Sequence, residues 1–223
     1  MKFNPASTYL VKVTIFLLIT ILVYCYLGTT GLMPGPYRRT AGFDDLFTAG
    51  FKSVFNYGFH FLLFVLALYA ANPKFNFVIE SAVVSAVIQT IFFALTFYRV
   101  ISLNHFLTGI LACLAVMAVL IDNLYVRKMK SARVGFVIIF SIIYGIWLGN
   151  TFLYTGFSPE SNLELLAVIN AGIVVAQLCI IALAFIFLGK LLANNKNYRK
   201  LVLIPLTAIS FAVVALWGIK QII

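Results

Sequence analysis

The sequence contains little charge, and acidic residues are especially scarce. Charged residues make up 10% of the 223 residues, and only six of them are Asp or Glu; a soluble globular domain has about 25% charged residues. Hydrophobic residues reach 63%, against about 45–50% in a typical soluble domain. These proportions exclude a soluble globular protein and a disordered chain. They are typical of a protein that crosses the lipid bilayer several times.

Cysteine and histidine are also scarce. Cys25, Cys113 and Cys179 each lie inside an apolar run without CxxC spacing, which predicts packing residues rather than disulfides or a zinc site. His60 and His105 are the only histidines, and no HExxH, GxSxG or GxxxxGK[ST] motif occurs. We therefore predict that the protein is not an enzyme and uses no cofactor. An intramembrane enzyme is a third and weaker hypothesis, because the sequence offers no evident nucleophile or metal-binding set.

Seven apolar stretches are each long enough to cross a bilayer, which requires about 20 apolar residues. Turn-forming sequences such as Asn72-Pro73 separate them. No small-residue cleavage site follows the first stretch, so we expect an uncleaved span rather than a signal peptide. The sequence thus predicts one all-α domain over residues 1–223, a polytopic transmembrane bundle of seven helices. The predicted spans are residues 9–27, 51–71, 77–98, 105–126, 134–154, 163–191 and 201–222.

Basic residues outnumber acidic ones, with sixteen Lys and Arg and a formal net charge of +10. In a soluble protein this balance would suggest nucleic-acid binding. Here the basic residues cluster in short loops between apolar stretches, so no nucleic-acid partner is predicted. With seven spans, eleven basic residues fall on the N-terminal side of the membrane and five on the other side. The positive-inside rule then predicts a cytoplasmic N-terminus and an outer C-terminus, in the inner membrane of a bacterium.

Neutral polar residues occur inside several predicted spans. Asn56 and His60 share one face of the second span, Ser85 and Gln89 share a face of the third, and Asn150 is expected deep in the fifth. Such residues either line a polar seam that contacts a substrate, or form interhelical hydrogen bonds worth about 0.6 kcal/mol each. The second interpretation is favoured. The candidate seam residues are Asn56, His60, Gln89, Tyr144, Asn150, Asn170 and Gln177.

Small residues recur at four-residue spacing within the spans. Ser141, Gly145 and Gly149 follow this spacing in the fifth span, and Gly172 and Ala176 follow it in the sixth. Faces of this kind allow two helix backbones to approach closely. They predict a compact bundle and leave its activity open.

The segment 50–68, with the sequence GFKSVFNYGFHFLLFVLAL, resembles a signature of the HupE/UreJ family. These are hydrogenase and urease accessory membrane proteins, associated with permeation of nickel or other metals. Tyr144-Gly145 stands where the family has His-Gly, and the segment 170–177 is similar to its Asn-x-Gly-Val-Glu-x-Gly-Gln stretch. The segment 198–200 and the closing span with Trp217 resemble the family's last helix. The resemblance covers most of the chain in the family's order.

The departures from the family's pattern fall on its His and acidic positions. His60 is the only clear survivor and hence the only candidate metal ligand. Nickel or zinc requires several imidazole or carboxylate ligands that converge on one point, so the resemblance implies the fold without the metal site. The replacements are Ser53 and Tyr144 for His, Phe59 for Asp, Val174 for Glu, and Gln89 for a His of the third span.

Two functions follow from this resemblance and from the composition. The favoured hypothesis is a non-enzymatic accessory or structural subunit of a membrane protein complex, whose partners are the lipid bilayer and other membrane protein subunits. The alternative is a divergent permease for a divalent metal ion such as nickel, or for a small solute, because transport sites often lie near the middle of the bilayer. A metal ion as a partner is the less favoured of these expectations.

Overall fold

The computed structural model describes residues 42–56, 59–71, 75–125, 130–154, 163–186, 188, 200 and 203–222. Within these ranges all regular secondary structure is helical, which confirms the predicted all-α fold. The first predicted span, residues 9–27, lies outside the described residues. The helices are α1 (Phe43–Asn56), α2 (Phe59–Ala71), α3 (Phe75–Phe97), α4 (His105–Tyr125), α5 (Lys130–Tyr154), α6 (Leu163–Ala184) and α7 (Ile204–Ile222).

Helices α3 to α6 each contain a segment long and apolar enough to cross a membrane. Helices α1 and α2 satisfy the same test only as a bent pair, and α7 contains a shorter apolar segment, Ile204–Leu216. The described residues therefore hold four candidate spans, or five if the bent pair is one span. The total of seven spans and the orientation of the termini stay predictions. The four segments are Ile79–Phe97, His105–Leu124, Val134–Tyr154 and Glu164–Ala184.

The predicted second span, residues 51–71, differs from the structure, which has two helices there. Helix α1 ends at Asn56, α2 begins at Phe59, and their axes differ by 60°. Gly58 stands between the two helices in the sequence, and glycine disfavours a helix interior by about 1 kcal/mol relative to alanine. The expectation that Asn56 and His60 share one continuous helix face is therefore wrong.

Helix α2 lies at the centre of the bundle. It contacts α4, α6 and α7 as well as α1, and its side chains from Leu63 to Ala70 are all buried. The outer helices present apolar side chains outward, for example Val83 and Val87 of α3 and Leu114 of α4. This arrangement matches a bundle surrounded by lipid, where an apolar outer surface carries no hydration penalty.

Helices α1 and α6 approach each other through two glycines. Gly50 of α1 faces the backbone of Ile169, and Gly172 of α6 faces the backbone of Phe47. A Cβ atom on either glycine would overlap the carbonyl oxygen opposite it. The close approach that the spacing of Gly172 and Ala176 predicted is confirmed.

Helices α3 and α5 approach each other in the same way. A Cβ atom on Gly145 would lie 2.6 Å from the carbonyl oxygen of Gln89. A Cβ atom on Gly149 would lie 2.7 Å from Cβ of Thr96. The two helices run parallel, since residues further along α5 meet residues further along α3. The predicted close contact of Gly145 and Gly149 is thus confirmed, and it holds one turn of α3, the turn that contains Gln89, against α5.

Candidate functional site

Two of the candidate seam residues, Gln89 of α3 and Gln177 of α6, contact each other directly. Nε2 of Gln177 donates a hydrogen bond to Oε1 of Gln89 at 2.6 Å. Both side chains are buried, with 0% and 3% of their surface exposed. Nε2 of Gln89 has no hydrogen-bond acceptor among the described residues. The pair therefore joins two helices and retains a buried donor.

Further side-chain hydrogen bonds join α3 to its two neighbours at adjacent turns. The hydroxyl oxygens of Ser85 and Ser141 are 2.8 Å apart and link α3 to α5. Nδ2 of Asn170 donates to Oγ1 of Thr90 at 2.9 Å and links α3 to α6. These contacts have the form of the interhelical bonds that stabilise membrane bundles. A role of Gln89, Gln177 or Asn170 in binding a substrate stays a prediction.

Asn150 lies away from the other candidate seam residues. It is half-buried near the end of α5, and its Nδ2 donates to the carbonyl oxygen of Leu103 at 2.9 Å. The expectation that Asn150 lies deep in the fifth span is therefore wrong, because α5 ends at Tyr154 and its last turns meet the loop between α3 and α4. The side chain of Asn56 lies outside the described part of the chain.

His60 and Tyr144 both contact Trp147 of α5. The ring of His60 meets Trp147 edge-on at a centroid distance of 5.1 Å, and Tyr144 stacks on Trp147 at 5.7 Å. His105 stacks on the same indole at 5.8 Å. Both histidines of the sequence therefore pack around one tryptophan. We name His60, His105, Tyr144 and Trp147 the Trp147 cluster.

Asn104 positions His105 within the Trp147 cluster. Its side-chain Oδ1 accepts a hydrogen bond from the backbone N–H of Phe106 at 2.8 Å, as an N-cap residue does at the start of a helix. Helix α4 consequently begins at His105. Sequence reasoning placed His105 at a span boundary and did not connect it with His60, because the connection depends on how α2, α4 and α5 pack together.

Phe61 connects the Trp147 cluster with the Gln89–Gln177 pair. Its ring lies 5.5 Å from the ring of Tyr144. Phe61 also lines, with Gln177 and Ser85, a cavity of about 10 Å³, which is about the space that one water molecule needs. Four of the candidate seam residues thus lie in one region of the bundle, namely His60, Gln89, Tyr144 and Gln177.

Metal binding was the chemistry that the resemblance placed on these positions. Among the residues that the structure describes, no group of three or more His, Cys, Asp or Glu side chains lies close enough together to hold a metal ion. The Trp147 cluster brings two imidazoles together with an indole and a phenol. Its contacts are those of aromatic packing.

Comparison with known protein families gives a match over most of the sequence. A family model described as HupE / UreJ protein matches residues 35–221, which is most of the chain and includes helices α1 to α6 and all but the last residue of α7. No curated protein and no solved structure shows significant similarity to the sequence. The match begins after the first predicted span, so that segment stands outside the region shared with the family. The chain belongs to the HupE/UreJ family.

Proposed function

We propose that this multi-pass membrane protein is a non-enzymatic accessory or structural subunit of a larger membrane protein complex. The family match and the apolar helices fit a membrane accessory or transporter-like protein. The observation that favours the accessory role is the hydrogen bond between Gln177 and Gln89. It uses two of the deepest polar side chains to hold helices together.

The surroundings of this pair support the same proposal. A transport path requires polar groups that face a space large enough for the solute. The cavity that Gln177 lines has a volume of only about 10 Å³. Ser85 likewise forms a hydrogen bond with Ser141 of α5, and Asn170 forms one with Thr90 of α3. A solute that binds these polar groups would have to displace the interhelical hydrogen bonds that they already form.

Companion proteins provide the test of the accessory role. We expect the full-length chain, extracted from its native membrane in mild detergent, to carry the same membrane proteins at a fixed ratio in two different detergents. Deleting the gene of such a companion should lower the amount of this chain severalfold, because an unpartnered subunit is degraded more readily. Mass spectrometry and quantitative blotting measure both effects. A chain that elutes alone and monodisperse, and whose level does not depend on any companion, would contradict the proposal.

A second candidate function is supported by the bent pair of α1 and α2. Transporters often bind their substrates where a membrane helix is interrupted near the middle of the bilayer. Here the helices meet at an angle of 60°, and the buried His60 is the second residue of α2. This geometry favours a permease for a nickel-like divalent ion or a small solute as the alternative.

Uptake measurements separate the two functions. Under the accessory role, cells with and without the protein should accumulate Ni²⁺ equally, and the double variant His60→Ala, Gln177→Ala should change nothing in uptake. Asn123→Ala is the matched control, since it removes another buried interhelical bond, from Nδ2 of Asn123 to the carbonyl oxygen of Ala67 at 2.7 Å. Protein-dependent uptake that the double variant abolishes and Asn123→Ala preserves would assign the permease function instead.

A further inference from the structure

The loop between α3 and α4, residues 98–104, lies where three candidate spans end. The span in α3 ends at Phe97, and the span in α4 begins at His105. The span in α5 ends beside them at Tyr154, whose ring stacks on that of His105 at a centroid distance of 6.1 Å. Tyr98 and Tyr154 are both exposed, as tyrosines often are at the boundary between membrane and water. The loop therefore lies at the level of the lipid headgroups.

Arg99 follows α3 in a left-handed backbone conformation, with a φ of 59°. Its backbone N–H donates to the carbonyl oxygen of Thr96, and the N–H of Val100 donates to that of Leu95, both at 2.9 Å. These two bonds form the Schellman motif that closes many helices. Glycine is the usual residue at this position, because it has no Cβ. Since the backbone alone closes α3, an arginine in this strained conformation points to a role for its side chain.

The side chain of Arg99 is exposed in largely apolar surroundings. Val100 and Leu103 of the loop are 70% and 39% exposed, and Phe106 in the first turn of α4 is 42% exposed. The sequence has no Asp or Glu from residue 81 to residue 121. Among the residues that the structure describes, no carboxylate forms an ion pair with Arg99. The loop thus offers one cation, unpaired in the described part of the chain, beside an exposed apolar surface.

We propose that the α3–α4 loop binds an anionic phospholipid, whose phosphate accepts hydrogen bonds from the guanidinium of Arg99. A planar guanidinium can donate two parallel hydrogen bonds to a phosphate. The acyl chains of the lipid then cover Phe106 and Leu107, which are exposed in the first turn of α4. A lipid fits better than an acidic segment of a partner protein, because apolar side chains surround the cation at the level of the headgroups. This inference goes beyond the accessory role and does not depend on it.

Two lipids with the same acyl chains test the contact with the phosphate. The full-length protein in detergent micelles is mixed with equal amounts of dioleoyl-phosphatidylglycerol and dioleoyl-phosphatidylcholine, and native mass spectrometry identifies the lipid that binds first. We expect the phosphatidylglycerol to bind about fivefold more often, as about 1 kcal/mol per basic residue at an anionic surface implies. Equal binding of the two lipids would overturn the proposal.

Two substitutions of Arg99 locate the binding. Arg99→Gln and Arg99→Gly both remove the charge, and both should reduce the lipid preference to about equal binding. Arg99→Gly also introduces the residue that the left-handed backbone favours, so it should unfold in SDS micelles at the same or a higher SDS fraction than the wild type. Lys200→Gln is the matched control, because it removes a positive charge from another exposed residue and should leave the preference unchanged.

Four results would contradict the proposal. A preference that survives both Arg99 variants would place the bound lipid elsewhere, and one that Lys200→Gln lowers equally would show an effect of net charge. Earlier unfolding of Arg99→Gly would show that the arginine supports the fold. If Arg99→Gln leaves the lipid preference intact and releases a companion protein, the loop binds an acidic segment of that protein.

Discussion

Replacing Gly172 with alanine is expected to destabilise the bundle by about 3 kcal/mol or more, at the upper end of what overpacking costs. The added methyl would overlap the carbonyl oxygen of Phe47 and lie 2.8 Å from the backbone nitrogen of Phe51. Both opposing atoms belong to the backbone of α1, so no side-chain rotation can relieve the overlap. Helix α1 would have to move away from α6. Unfolding in mixed micelles with increasing SDS, followed by far-UV circular dichroism, measures the change.

Gly135→Ala is the matched control for this substitution. Gly135 is also a helical glycine, in α5, but a Cβ atom there would meet nothing within 4 Å. The substitution should be neutral or stabilise the protein by up to about 1 kcal/mol, because alanine is the better helix former. If Gly172→Ala and Gly135→Ala change the unfolding free energy equally, then α1 does not pack on α6 as described here.

The long uninterrupted helices could be predicted from the sequence, because the thickness of the bilayer sets the length of a helix that crosses it. The third predicted span, residues 77–98, differs by only one or two residues from α3, Phe75–Phe97. The spacing of Gly145 and Gly149 likewise indicated a close helix contact. Both signals are local, since apolar run length and small-residue spacing can be read from one segment without knowledge of its neighbours.

The interruption between α1 and α2 could not be predicted from the same signals. The apolar run continues from Phe55 to Leu68 with only Asn56, Gly58 and His60 inside it, so run length alone indicates a single helix. Gly58 weakens the helix locally, and the two helices on either side of it pack against different partners. Helix α1 is held against α6, while α2 enters the centre of the bundle. Packing of this kind overrides local helix propensity.

Only part of the candidate site could be predicted from the sequence, because the rest depends on tertiary packing. Gln89 and Gln177 were identifiable because a polar side chain inside an apolar span requires a partner. That they bond to each other was not predictable, since they are 88 residues apart in the sequence. Thr90 and Trp147 carried no signal of their own. A threonine or a tryptophan in a membrane span is common, and only the fold shows that they face Asn170 and His60.

Replacing Trp147 with alanine is expected to cost about 3–5 kcal/mol of folding free energy, as the loss of a large buried aromatic ring does. The indole is 3% exposed and contacts His60, His105 and Tyr144, so its removal takes away ring contacts that join α2 and α4 to α5. Trp147→Phe keeps an aromatic ring in the same place and should cost clearly less.

The control for Trp147→Ala is Phe211→Ala on α7, where the aromatic ring is 38% exposed on the outer surface. Lipid replaces the lost contacts there, so the expected cost is about 1 kcal/mol or less. Far-UV circular dichroism is the suitable probe, because Trp147→Ala removes one of only two tryptophans. If both alanine variants unfold at the same SDS fraction, the Trp147 cluster does not hold the bundle together. If only Trp147→Ala is destabilised and Trp147→Phe restores most of the loss, both histidines belong to the aromatic packing that joins α2 and α4 to α5.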